Sequence, residues 1–192
     1  MEIFGYQISY LEIFGTLFSL SAIILAAKSS IWNWPVSLVG QLLFFLLFMK
    51  NQLYGNTILQ IYFTIISVYG WFNWGKKGGE TLKKLNKKNT IIYGTIIIIL
   101  CLIGGYVLSF YQILYPYLDA TTTISSMIAL LSLSFKIING WYLWIIIDIL
   151  SVILYYFKGL YLVSFEYVII TLIATYGLIH WNKLFKIQEH AQ

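Results

Sequence analysis

The sequence predicts an all-α membrane protein of seven transmembrane helices, arranged as two parallel three-helix repeats joined by a linker helix (3+1+3). Three observations carry this. Of 192 residues, 60% are hydrophobic and only 10% charged, where a soluble domain carries about 25% charged residues to wet its surface. Apolar runs of the length that crosses about 30 Å of hydrocarbon as a helix recur along the chain. Finally, segment 12–74 lies over segment 119–181 without a gap, at an offset of 107 residues.

The spans read in order as 10–27, 32–50, 54–74, 91–111, 119–135, 139–157 and 160–181. Most connections are too short for anything but antiparallel neighbours. Pro35 falls in the first turn of the second span, where its missing N–H costs nothing. The long polar connection, Gly75 to Asn89, carries six lysines (76, 77, 83, 84, 87 and 88) and no hydrophobic stripe. It reads as a solvated loop, not a nucleic-acid site. The predicted organisation is a first repeat over 1–74, a basic loop over 75–90, a linker helix over 91–111, a second repeat over 112–182 and a tail over 183–192.

Within the repeat, Glu12 falls on Asp119, Thr16 on Thr123, Ser19 on Ser126 and Trp34 on Trp141. Tyr54 falls on Tyr161, Thr64 on Thr171, Tyr69-Gly70 on Tyr176-Gly177, and Trp74 on Trp181. Leucine and isoleucine match by chance in apolar chains; polar, aromatic and glycine matches at one offset do not. Equivalent helices lie four crossings apart, so the repeats point the same way. Parallel repeats about an axis along the membrane normal occur in transporters, with sites between them near the midplane.

Lysine placement sets the expected orientation. With the N-terminus outside, the cytoplasmic side holds Lys28, the six loop lysines, Lys136, Lys183 and Lys186, and the outside holds Lys50 and Lys158. That asymmetry is the positive-inside bias, so the chain is expected N-out and C-in. No basic segment precedes the first apolar run, so no cleavable signal peptide is expected. The single cysteine, Cys101, excludes an internal disulfide and reads as a lipid or packing residue.

Polar side chains inside apolar runs mark the candidate site, because each is costly in hydrocarbon. Asp148 lies mid-span, and Trp141, Trp144 and Asp148 share one helical face at i, i+3 and i+7. Two indoles and a carboxyl suit an aromatic, hydroxylated or cationic ligand; an aspartate bonding two helices together fits the same spacing. The repeat places Trp34 and Gln41 at equivalent positions. Gln60 lies inside the third span, and Asn73 ends it beside Trp71 and Trp74. Ser126 lies on a small polar face suited to close packing, and Asn139 joins spans five and six. With Tyr69 these form the candidate ligand-binding set. Glu166, whose repeat partner is Leu59, and His180 stand apart from it. No Walker loop, Cys/His metal pattern or Ser-His-Asp arrangement is present in the sequence, so neither an enzyme nor a bound ATP motor is expected, nor a metal or cofactor.

The strings WNWPVSLVGQ, LYGNTILQIYFTIISVYGWFNW, DATTTISS and NGWYLWIIIDILSVILYYFKGLY resemble the PnuC family of bacterial vitamin transporters, from about residue 10 to 182. The most specific parts are Trp141, Trp144 and Asp148, the Leu59-Gln60 pair and Tyr69-Gly70-Trp71. The resemblance implies a fold like that of SWEET-type sugar transporters and a homotrimer in the bacterial cytoplasmic membrane. It implies facilitated diffusion of a vitamin precursor, made directional by a cytosolic kinase that phosphorylates the arriving substrate. Nicotinamide riboside is the expected substrate, with thiamine, riboflavin, a deoxynucleoside and then a simple sugar as alternatives. The chain departs from the nicotinamide riboside pattern at Asn139-Gly140-Trp141, where Glu-Asn-Trp is expected, and at Ala129-Leu130, where a glutamine is expected after the alanine. A non-transporting membrane subunit is the rival of a different class.

Overall fold

A computed structural model describes residues 2–3, 6–7, 9–76, 81–111, 113–159 and 161–191. Lys77, with the rest of 77–80 in the basic loop, lies outside the described residues, as does Leu160. The described residues form α1 (Tyr10–Ala27), α2 (Asn33–Lys50), α3 (Tyr54–Gly75), α4 (Lys87–Ser109), α5 (Pro116–Ser134), α6 (Asn139–Phe157) and α7 (Tyr161–His190). Two short strands that the sequence reading does not anticipate, β1 (Glu2–Ile3) and β2 (Tyr6–Gln7), pair antiparallel ahead of α1.

Local chemistry explains the helix limits. Ser9 caps α1 by accepting the Glu12 N–H at 3.2 Å, and a hydroxyl three residues before a glutamate is a helix-start signal. Asn86 caps α4 in the same way, accepting from the Asn89 N–H at 2.8 Å, which starts that helix four residues earlier than its apolar run. Pro116 opens α5, again earlier than expected, behind Tyr115 in the left-handed region at φ 61°. The largest departure is α7. Its apolar run ends at Trp181, but the helix continues to His190 because Leu184 and Phe185 pack onto the buried tryptophan cluster.

By length and composition, α1, α2, α4, α6 and the Val163–His190 part of α7 are apolar enough to cross a membrane. The expected third and fifth spans are present as α3 and α5 but fall outside that group. Polar side chains of α3 bond to the backbone of α5. The Tyr62 hydroxyl donates to Met127 O at 3.0 Å, and the Asn73 amide donates to Ser134 O at 2.9 Å. Elsewhere the outer surface is apolar: Ile58, Leu102, Phe165 and Leu172 are each more than half exposed, as lipid contact requires.

α1 packs on α2 and α7, and α3 on α2 and α5; α6 joins α5 to α7, and α4 rides mainly on α5. Gly104 and Gly105 of α4 admit the Ile124 and Tyr117 side chains of α5. Cys101 is buried in that seam, 3.7 Å from the Ser125 hydroxyl. The 107-residue offset recurs in this geometry. Shifted by it, α1, α2 and α3 start within one residue of α5, α6 and α7. Positive φ recurs at Ser29 and Lys136, and at Gln52 and Gly159.

At one end of the bundle, residues 82–85 close over the helix ends. Lys83 pairs with the α5–α6 turn, its N–H on Lys136 O at 3.0 Å and its carbonyl on the Ile138 N–H at 2.9 Å. The Gln188 side chain grips Leu82 twice, accepting its N–H at 2.9 Å and donating to its carbonyl at 3.2 Å. Leu82 is thereby buried beside Trp74, Ile138 and Trp181. At the opposite end, Lys158 after α6 pairs with Asp119 of α5 at 2.8 Å.

Candidate functional site

A cavity of about 70 Å³ lies among α1, α2, α5, α6 and α7, with Trp74 of α3 also in its wall. α2 contributes Asn33, Trp34 and Ser37, and α6 contributes Trp141, Trp144 and Asp148. Asn33 and Trp34 each lie about one turn before Ser37, and Trp141, Trp144 and Asp148 follow one another at turn spacing, so each helix presents one side to the cavity. Ala22, Ala26, Leu130, Leu133, Ile170 and Ala174 supply apolar wall.

Asn33 and Trp74 of this wall donate to the Ser30 and Leu133 carbonyls, but most of its other polar groups are without partners. Among the described residues, the buried side-chain atoms that make no hydrogen bond are Nε1 of Trp34, Trp141 and Trp144, both carboxyl oxygens of Asp148, and Oε1 of Gln41. Five of those six belong to cavity-lining residues. Asp148 is fully buried, and a buried carboxyl group without a hydrogen bond is costly. Folded proteins satisfy nearly all such groups, so a cluster of exceptions around one cavity points to something that arrives from outside. Three N–H donors, an acidic group and three indole faces can hold a planar, hydroxylated or cationic molecule.

Tryptophans also pack against one another beside the cavity. Trp34 meets Trp74 edge-on at 5.2 Å between centroids, and Trp141 meets Trp181 edge-on at 5.6 Å. Trp74 and Trp181 touch each other at 5.7 Å. The Trp74 indole donates to Leu133 O at 3.1 Å, and the Trp181 indole donates to Ala26 O at 3.0 Å. Donors and acceptors of these two bonds are each 107 residues apart. The Lys136 ammonium lies 4.4 Å from the Trp74 ring centroid, a cation–π distance.

Of the sequence-derived candidates, Trp34, Trp141, Trp144 and Asp148 meet at the cavity. The others lie outside its lining. Gln41 donates to the Ser67 hydroxyl at 2.8 Å. Gln60 is half-buried in α3. Tyr69 packs on the Phe135 ring at 5.2 Å, and Asn73 ties α3 to Ser134. Ser126 bonds the Thr122 carbonyl of its own helix at 2.7 Å. Asn139 accepts the Leu85 N–H at 2.8 Å and so anchors the loop. Asn33, Ser37 and Trp74 line the cavity without having been singled out for it. The i, i+4 spacing of Asn33 and Ser37 beside Trp34 was their available signal. Among the described residues, no group of His, Cys, Asp and Glu is arranged to hold a metal ion.

The sequence pattern of the nicotinamide mononucleotide transporter family matches residues 9–183. The chain belongs to that family. It is 25% identical over 207 residues to the nicotinamide riboside transporter PnuC of Escherichia coli (strain K12), covering 92% of this chain and 87% of that one. It is 23% identical over 190 residues to the riboflavin/roseoflavin transporter RibM of Streptomyces davaonensis, covering 93% and 87%. Its fold resembles the crystal structure of the vitamin B3 transporter PnuC, with TM-score 0.71 and 22% identity over 93% of this chain and 83% of that one. The family and these relatives are transporters, not enzymes. The PnuC resemblance carried by the α2, α3 and α6 strings therefore holds at the level of the family. With its apolar helices, the protein is a multi-pass membrane transporter of this family.

Proposed function

We propose that the protein carries a vitamin precursor, nicotinamide riboside first, into the bacterial cytoplasm by facilitated diffusion through the cavity between α2 and α6. The observation that carries this reading is the set of unpartnered groups on Trp34, Trp141, Trp144 and Asp148 around that cavity. A pyridinium ring stacks on the indoles and pairs with the Asp148 carboxylate, and ribose hydroxyls reach the indole N–H groups, Asn33 and Ser37. A cytosolic kinase acting on the arriving substrate, without contact with the carrier, makes the flux one-way. The protein works as a homotrimer in the cytoplasmic membrane, N-out and C-in. Its architecture is 3+1+3, with repeats over 1–74 and 112–182 around the 91–111 linker helix; the paired turns, indole bonds and tryptophan contacts at the 107-residue offset support this.

The size of the cavity bears on mechanism. At about 70 Å³ it takes a few waters, whereas ligand pockets run from about 300 Å³ upward. Substrate therefore enters and leaves through states in which the bundle opens. At the lysine-bearing end, opening separates Trp74 from Leu133, Trp181 from Ala26 and Leu82 from Gln188.

Calorimetry on the detergent-purified protein tests the assignment with nicotinamide riboside, thiamine, riboflavin, a deoxynucleoside and a simple sugar. Binding of nicotinamide riboside with the others silent is expected. Binding of riboflavin alone moves the protein beside RibM, a second reading supported by that relative's coverage. Binding of sugar alone moves it to the sugar class, and silence from all five refutes the vitamin assignment.

A further inference from the structure

Two polar side chains occupy equivalent places at the 107-residue offset, and the structure treats them differently. Gln41 on α2 donates its amide to the Ser67 hydroxyl of α3 at 2.8 Å, and Ser67 is fully buried. Asp148 on α6 is the equivalent of Gln41, and the residue equivalent to Ser67 is Ala174 of α7. Ala174 is buried, lines the cavity together with Asp148, and has no side-chain polar atom. Neither oxygen of Asp148 has a partner.

The surrounding packing makes this comparison like for like. Trp34 packs over Gly70 and Trp141 over Gly177, so α2 meets α3 as α6 meets α7. The Trp34–Trp74 and Trp141–Trp181 contacts agree within 0.4 Å and 3° (5.2 Å at 84°, 5.6 Å at 81°).

We infer that Ala174 is a specificity-determining position. By lacking the hydroxyl that engages Gln41 in the other half, it leaves the Asp148 carboxyl facing the cavity with no internal partner, reserved for the ligand. Gln41, whose amide N–H donates to Ser67 while its Oε1 is left without a hydrogen bond, holds α2 to α3 and stays out of the lining. The two halves thus divide the work: one polar residue is a strut and its counterpart is a binding group. A buried acceptor already paired within the protein has less to gain from a ligand donor than an orphaned one. This inference rests on the transport reading for its ligand, but the pairing of positions 174 and 148 can be tested without one.

The experiment supplies the missing donor. Ala174→Ser restores the hydroxyl. Aspartate is one methylene shorter than glutamine, so Ala174→Asn, with the longer donor, accompanies it. Affinity for nicotinamide riboside is expected to fall about tenfold in at least one variant. The melting temperature of the ligand-free protein is expected to rise, and that gain to vanish when Asp148→Ala is added. Ser67→Ala, in contrast, is expected to change affinity by less than about twofold while lowering the melting temperature. Wild-type affinity in both Ala174 variants overturns the inference, as does a melting gain that survives removal of Asp148, or a Ser67→Ala loss as large as the Ala174 ones. If wild-type protein binds none of the vitamins, the transport assignment fails. The melting coupling between positions 174 and 148 then decides the pairing alone: its presence upholds the inference and its absence overturns it.

Discussion

Gly70→Ala tests whether the tryptophan packing that shapes the cavity is as tight as its geometry implies. A methyl group built on Gly70 comes within 2.5–2.6 Å of Cζ2, Cε2 and Cη2 of Trp34. Carbon atoms pack at about 3.5–4.0 Å, so the indole must retreat by about 1 Å. Trp34 is buried and held edge-on against Trp74, which in turn touches Trp181, so the retreat disturbs three rings. Overpacking of this kind costs about 1–3 kcal/mol, and a rigid buried ring puts Gly70→Ala at the upper end. For a chain of this length that is a melting-temperature loss of about 5–10 °C. Gly177→Ala meets Trp141 at 2.9 Å and should cost less. Melting followed by tryptophan fluorescence in detergent, with ligand calorimetry on the same samples, measures both effects. Ligand affinity should fall with Gly70→Ala because Trp34 lines the cavity. A Gly70→Ala protein with wild-type melting and affinity, or a Gly177→Ala protein more damaged than it, would refute the reasoning.

Asp148→Asn keeps the shape of the side chain and removes its charge. Ligand affinity should drop about tenfold in a protein that still folds, and unchanged affinity by calorimetry removes Asp148 from the site. Trp181→Phe keeps the ring packing but deletes the donor to Ala26 O. A loss of about 1 kcal/mol should raise hydrogen exchange at the C-terminal end of α1 about fivefold, and wild-type protection there contradicts a holding role for this bond. Gln188→Leu removes both bonds to Leu82. Amides of residues 82–85 should then exchange faster while the α6 core is unchanged, and equal rates would show that Gln188 does not hold the loop.

Much of this molecule was legible in the sequence. The limits of α1, α2, α3 and α6 agree with the apolar runs to within a residue or so, because a helix in lipid is bounded by where apolar residues stop and caps begin. Where those signals diverge, the runs misled. The apolar Leu184 and Phe185 continue α7 through a stretch rich in polar residues, and Asn86 starts α4 among lysines. Four lining residues were visible as unusual side chains of apolar helices: Trp141, Trp144 and Asp148 on one stripe of α6, and Trp34 at the equivalent place on α2.

The fate of the other polar candidates was not visible. Gln41, Asn73 and Asn139 have the same residue chemistry as site groups, yet each is bonded to a neighbour: Ser67, Ser134 O and the Leu85 N–H. Leu82, one of two leucines in a lysine-rich connection, gave no sign that it would be buried with the tryptophan cluster. By itself the sequence determined the helices, their apolar exteriors and the offset that relates one half of the chain to the other, since these depend only on each residue and its near neighbours along the chain. The tertiary structure decided which polar groups are spent within the fold and which are left facing the cavity. That outcome depends on the rotation and axial register of one helix against another, and a single substitution such as serine to alanine across that contact reverses it.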